Sequence, residues 1–135
     1  MKSLSFLLLL PASQLVFSAA AQAAADCADA QTQAEINACT GAAYKASDKR
    51  LNDLYGQYRQ RLDAGQKKAL TAAQKAWLNY RDLSCQFETA GAKGGSGYPM
   101  AYNNCLKVMT DNRIKELQVL SDCQEGDFNC PAPKP

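Results

Sequence analysis

The chain has 135 residues, with 15 Lys and Arg against 13 Asp and Glu, six cysteines and no histidine. This length suits one domain with a modest core, and the near balance of charge gives no electrostatic case for binding nucleic acid or an anionic membrane. Without histidine or a CxxC pair, zinc, haem and redox readings are poor, no cofactor is called for, and general base or nucleophilic catalysis has little to work with. The chain is read as a non-enzyme.

Export is the first feature in chain order. Lys2, the apolar run Leu4 to Leu10 and the small-residue site Ala21-Gln22-Ala23 follow the pattern of a secretory signal peptide over residues 1–23. A cut after Ala25 is the near alternative. Pro11, Ser13 and Gln14 interrupt the apolar run, which falls short of the roughly 20 residues that span a bilayer. Asp26 rather than a small residue precedes Cys27, so no lipid-attached membrane anchor is expected in the mature form. Loss of Lys2 leaves 14 basic residues, and the product is expected to be soluble and either periplasmic or secreted.

Cys27, Cys39, Cys85, Cys105, Cys123 and Cys130 read as three disulfides in such a chain, which allow 15 pairings in principle. Cys123 with Cys130 closes a small ring. Cys27 with Cys85 and Cys39 with Cys105 are favoured because they would tie the N-terminal segment and first helix to later helices.

Thr32-Gln33-Ala34-Glu35 is a capping box that opens a helix. Ile36, Cys39, Ala43, Ser47, Leu51, Leu54, Tyr58 and Leu62 recur every three or four residues and carry one long helix to about Asp63, where Gly65 breaks it. Thr71-Ala72-Ala73-Gln74 predicts a second start, with Leu70, Ala73, Trp77, Tyr80, Ser84 and Phe87 as the inward stripe to near Gly91. A glycine-rich loop, Lys93-Gly94-Gly95-Ser96-Gly97-Tyr98, leads to Pro99 in the first turn of a third helix. Tyr102, Leu106, Met109, Arg113, Leu117 and Leu120 form its stripe to about Ser121. The expected fold is all-α: a small disulfide-stapled bundle of about three helices, the first one long, over residues 24–122, with a polar Pro-rich tail over 123–135.

Asp48, Arg81 and Arg113 fall on or beside core-facing lines. Charge facing a core must be paired, so a structural network in which Asp48 meets Arg113 or Arg81 is expected. The Lys93 to Tyr98 loop lacks the order of a phosphate loop and reads either as a connection or as an exposed probe for a partner's cleft. Trp77 with Tyr80 at helical spacing reads as core before it reads as a sugar platform. Asp122, Glu125 and Asp127 lack calcium-loop spacing.

One set of residues carries a resemblance. Cys27, Thr32-Gln33, Glu35, Asn37 and Cys39 are followed by Asp48, Leu51-Asn52 and Tyr55, then Gln74, Trp77, Tyr80-Arg81-Asp82 and Cys85. Gly94-Gly95-Ser96, Cys105-Leu106, Thr110, Arg113 and Leu117 complete it. In this order and spacing the chain resembles the LprI-like lysozyme-inhibitor family of small secreted or lipid-anchored bacterial proteins. Cys123 and Cys130 lie outside its four-cysteine pattern. The resemblance implies a helical domain and, for some members, inhibition of animal-type lysozymes. The expected function is stoichiometric occlusion of a lysozyme cleft through Lys93 to Tyr98, the alternative being a non-catalytic helical envelope module for another protein or glycan.

Overall fold

The computed structural model describes residues 27–133; the segment read as a signal peptide lies outside the described residues. Three helices make the domain: α1 Gln33–Gln60, α2 Ala64–Glu88 and α3 Tyr98–Ser121, with 3-10 turns at Cys27–Asp29 and Ala90–Ala92. No strand occurs among the described residues. At 28 residues the first helix is long, as expected, and at 25 and 24 residues the other two are near its equals.

The length of α2 comes from an earlier start than expected, at the α1–α2 turn. Asp63, not Thr71, caps α2: its carboxylate accepts from the Gln66 backbone N–H at 2.8 Å, and the Gln66 side chain accepts from the Asp63 N–H at 3.0 Å. Asp-x-x-Gln works as a capping box as well as Thr-x-x-Gln, because either side-chain oxygen reaches the N3 amide. Gly65 then sits in the first turn of α2 and breaks nothing. Thr71 is mid-helix, its hydroxyl donating to the Lys67 carbonyl at 2.7 Å. The box at Thr32 is present, with the Glu35 carboxylate accepting from the Thr32 N–H at 2.9 Å and the Gln31 N–H at 2.8 Å. Those two backbone bonds lower the pKa of Glu35.

The short turn forces α2 to run back along α1, and the longer α2–α3 loop returns α3 parallel to α1. Asn37 near the start of α1 accepts from the Met100 amide at the start of α3, and Arg61 just past α1 donates to the Ser121 carbonyl that ends α3. The α1–α3 seam is lined by small and polar groups as much as by leucine: Thr40, Ser47, Thr110 and Ser121 are buried beside Leu51, Leu106 and Leu117. Side chains this short let two helices approach closely. A Cβ on Gly41 would lie 3.3 Å from the Asn103 amide nitrogen. The Tyr58 hydroxyl is buried in this region without a hydrogen-bond partner among the described residues.

The buried line of α2 is Gln74, Arg81 and Cys85, about one residue round from the expected stripe. Tyr80 and Phe87 face outward at 62% and 83% exposure. Hydrophobic spacing alone favours the wrong face here, because the residue turned inward is an arginine whose guanidinium has partners on all sides.

Two of the expected disulfides are also corrected. Cys27 pairs with Cys39 and Cys85 with Cys105, at Cα separations of 5.8 and 5.6 Å. Antiparallel packing sets the end of α2 beside the second turn of α3, so Cys85 meets Cys105 and neither Cys27–Cys85 nor Cys39–Cys105 forms. A disulfide requires Cα atoms within about 7 Å, which only neighbours in register meet. Cys123 pairs with Cys130. The tail thus closed folds back onto α2, where the Gln66 side chain donates to the Pro131 carbonyl.

Candidate functional site

The glycine-rich segment and two of the three disulfides lie at the same end of the bundle. After α2, the Ala90–Ala92 turn passes into two further turns closed by Gly95 N–H to the Ala92 carbonyl at 3.0 Å and Tyr98 N–H to the Gly95 carbonyl at 3.2 Å. Gly94 adopts φ +87°, a left-handed conformation open to glycine at no steric cost. Gly97 caps α3, and Pro99 occupies its first turn, where its missing N–H costs nothing. The loop is therefore built from successive turns and is not a slack tether.

Asn37 holds it in place. Its side-chain N–H donates to the Ser96 carbonyl at 2.9 Å, while its side-chain oxygen accepts from the Met100 amide at 3.1 Å and from the Gln33 side chain at 3.0 Å. One α1 side chain thus fixes both the loop and the start of α3. The Cys27–Cys39 bond on α1 and the Cys85–Cys105 bond between α2 and α3 stiffen the same end. Lys93, Gly94, Gly95 and Ser96 stay exposed, with Gly97 and Tyr98 half-buried. Tyr98 stacks on Tyr102 at 5.7 Å between ring centroids. A rigid scaffold presenting a built turn is the arrangement through which loops bind partners. The role of Asn37 was not read from the sequence; its signal was the Gln33-x-x-x-Asn37 spacing, which puts two amides on one helix face.

Asp48, Arg81 and Arg113 occupy the middle of the bundle. Arg81 is buried, pairing with Asp48 at 3.3 Å and Asp82 at 2.9 Å and donating to the Thr110 hydroxyl at 3.2 Å. Its guanidinium also lies over the rings of Tyr44 and Trp77, at 5.5 and 5.4 Å. Burial pulls the Arg81 pKa down, but the hydrogen bond it donates to Asp82 and the neighbouring charges more than offset this, and the net direction is up. Arg113 does not reach Asp48. It pairs with Glu116 at 2.9 Å, donates to the Gln74 side chain at 3.1 Å and covers Trp77 at 5.6 Å. Trp77 is half-buried with two guanidiniums stacked on it, while Tyr80 points to solvent; the two do not form a sugar platform.

Among the described residues no group of His, Cys, Asp or Glu could hold a metal, and no helix is long and apolar enough to cross a membrane. The model of the family described as lysozyme inhibitor LprI matches residues 23–117. The chain belongs to the LprI family. The matched span takes in α1, α2, the loop and most of α3, and leaves the Cys123–Cys130 ring outside. The chain is also 33% identical over 114 residues to a protein of Rhizobium meliloti (strain 1021) described as uncharacterized, covering 75% of this chain and 82% of that one. No solved structure matches it. In this LprI-family protein the four matched cysteines form the two bonds that brace the loop end, so the family's cysteine pattern and the exposed turn belong to one structural unit.

Proposed function

We propose that this protein is an exported inhibitor of animal-type lysozyme, which it binds stoichiometrically through the Lys93 to Tyr98 loop so that the cleft is blocked. The observation that carries the reading is the exposed turn pinned by Asn37 at the disulfide-braced end of a chain belonging to the LprI family. A muramidase cleft holds two carboxylates and is shaped for a sugar chain. Lys93 offers a cation to such carboxylates, and the Ser96 hydroxyl and exposed loop amides offer donors to groups that otherwise bind sugar. Because the turn is already formed, little ordering entropy is lost on binding. The loop is too small to bury the roughly 1,600 Å² of a standard interface. Leu83 and Phe87, 55% and 83% exposed on α2 just before the loop, supply apolar area beside it. Export rests on the signal-peptide pattern of residues 1–23, and periplasm or secretion follows from it.

The test is turbidity loss of a cell suspension under purified lysozymes of different classes, with and without the mature protein. Wild type should inhibit at near one-to-one stoichiometry. Lys93→Ala with Ser96→Ala should weaken inhibition by about tenfold, as expected for about 1.4 kcal/mol of lost contact, without moving the melting temperature. Wild-type potency in that variant would place the contact elsewhere.

A further inference from the structure

The mature chain is almost neutral, yet its cations are unevenly placed. Between the last turn of α1 and the first three turns of α2 runs an open groove of about 540 Å³ lined by Arg59, Ala64, Lys67, Lys68, Thr71, Ala72 and Lys75. Four of its seven lining residues are cationic and none is acidic. Five of the cations elsewhere are matched, Lys49 with Asp53, Arg50 and Lys107 with Asp111, Arg81 with Asp48 and Asp82, Arg113 with Glu116; Lys45, Arg61, Lys93 and Lys115 have no ion pair among the described residues either, but none of them lines this groove. No ion pair among the described residues includes Arg59, Lys67, Lys68 or Lys75. The groove's polar interior is organised, since the Thr71 hydroxyl bonds the Tyr55 hydroxyl at 2.9 Å and lies 3.4 Å from the Arg59 Nε. Like charges held together repel, and that repulsion is relieved by an anion bound among them.

We propose that this groove binds a ligand bearing two or more phosphate groups. The spacing favours more than one: Lys68 and Lys75 are seven residues apart on a helix that rises 1.5 Å per residue, about 10 Å in all, so successive phosphates can meet the cations along the groove without drawing these side chains together. A chain or headgroup with successive phosphates would run along α2 past Lys67, Lys68 and Lys75, with Arg59 contributed by α1. The lining between the cations is alanine and threonine, too short to obstruct a linear ligand. This site lies toward the opposite end of α2 from the Lys93 to Tyr98 loop and is independent of lysozyme binding.

The same chemistry is found on soluble polyphosphate and on clustered phospholipid headgroups, and two probes separate them: inorganic tripolyphosphate by calorimetry, and sedimentation with vesicles of phosphatidylcholine with or without phosphatidylglycerol. Wild type should bind one probe or both, more tightly than inorganic phosphate, with affinity falling steeply between low and physiological salt. Lys68→Ala with Lys75→Ala should reduce affinity on the order of tenfold. The control Lys45→Ala with Lys115→Ala removes the same net charge from exposed positions outside the groove and should change it by about twofold or less. Lysozyme inhibition should be untouched by either pair. Equal losses in both pairs, no preference over single phosphate, or no binding to either probe would overturn the proposal.

Discussion

Replacing Asp48 and Arg81 by alanine separately tests the central network, because the two removals are not equivalent. The Arg81 side chain is 6% exposed, whereas those of Asp48 and Asp82 are 35% and 45% exposed. Asp48→Ala removes one contact of 3.3 Å but leaves Arg81 with Asp82, Thr110 and two aromatic faces. The buried cation therefore keeps a counter-charge, and the cost should be about 1–2 kcal/mol, well below the 3–5 of an orphaned buried charge. Arg81→Ala leaves two carboxylates that water can reach but empties the space between Tyr44, Trp77 and Thr110. It also removes the bonds to Asp48, Asp82 and Thr110 and two cation–π contacts, so about 3–5 kcal/mol is expected. In a domain of this size, 1 kcal/mol moves the melting point by about 4 °C. Circular dichroism melts should then place Asp48→Ala about 4–8 °C and Arg81→Ala about 12–20 °C below wild type. Arg81→Met, which keeps most of the volume, should fall between them. The reasoning is refuted if Asp48→Ala is as damaging as Arg81→Ala, for Asp82 would then be no substitute partner.

Tyr58→Phe removes a buried hydroxyl without a partner, so it should leave stability unchanged or raise it by about 1 kcal/mol in urea unfolding; a loss above that would reveal a bond. Peptide mapping should recover Cys27–Cys39, Cys85–Cys105 and Cys123–Cys130. Serine at both Cys85 and Cys105 should cost roughly 3 kcal/mol for the loop of about 20 residues released. For Asp111, burial raises the pKa but the Lys107 and Ser47 hydrogen bonds and the Lys107 and Arg50 charges bring it below the usual carboxylate value. Its folded pKa is depressed, so its stabilisation is full above the unfolded value and is lost as pH falls through the folded one. Asp111→Asn should flatten the acid limb of stability below about pH 4, by roughly 1 kcal/mol or less given the screening of half-exposed pairs; an unchanged acid limb would contradict that account.

Helix content, the first capping box, proline in the first turn of α3 and the interruption at the glycine-rich segment were legible in the sequence because each depends on neighbours within about four residues. The family was legible for a related reason: cysteine, aromatic and charged positions keep fixed spacings along the chain whether or not their partners are known. The start of α2 is equally local, but Asp63-x-x-Gln66 and Thr71-x-x-Gln74 are two versions of one motif, and the structure uses the first. Tertiary structure decided which face of α2 turns inward, since burying Arg81 rather than Tyr80 and Phe87 pays only when Asp48 on α1 and Thr110 on α3 arrive together. It decided the cysteine partners, which depend on which helix turns are in register, and it decided that Asn37 clamps the loop across 59 residues of sequence. It also gathered Arg59 from α1 with three lysines of α2 into one groove. Local motifs are set by short-range hydrogen bonding and periodicity, whereas pairings between helices are set by packing, where a rotation of one residue exchanges buried for exposed.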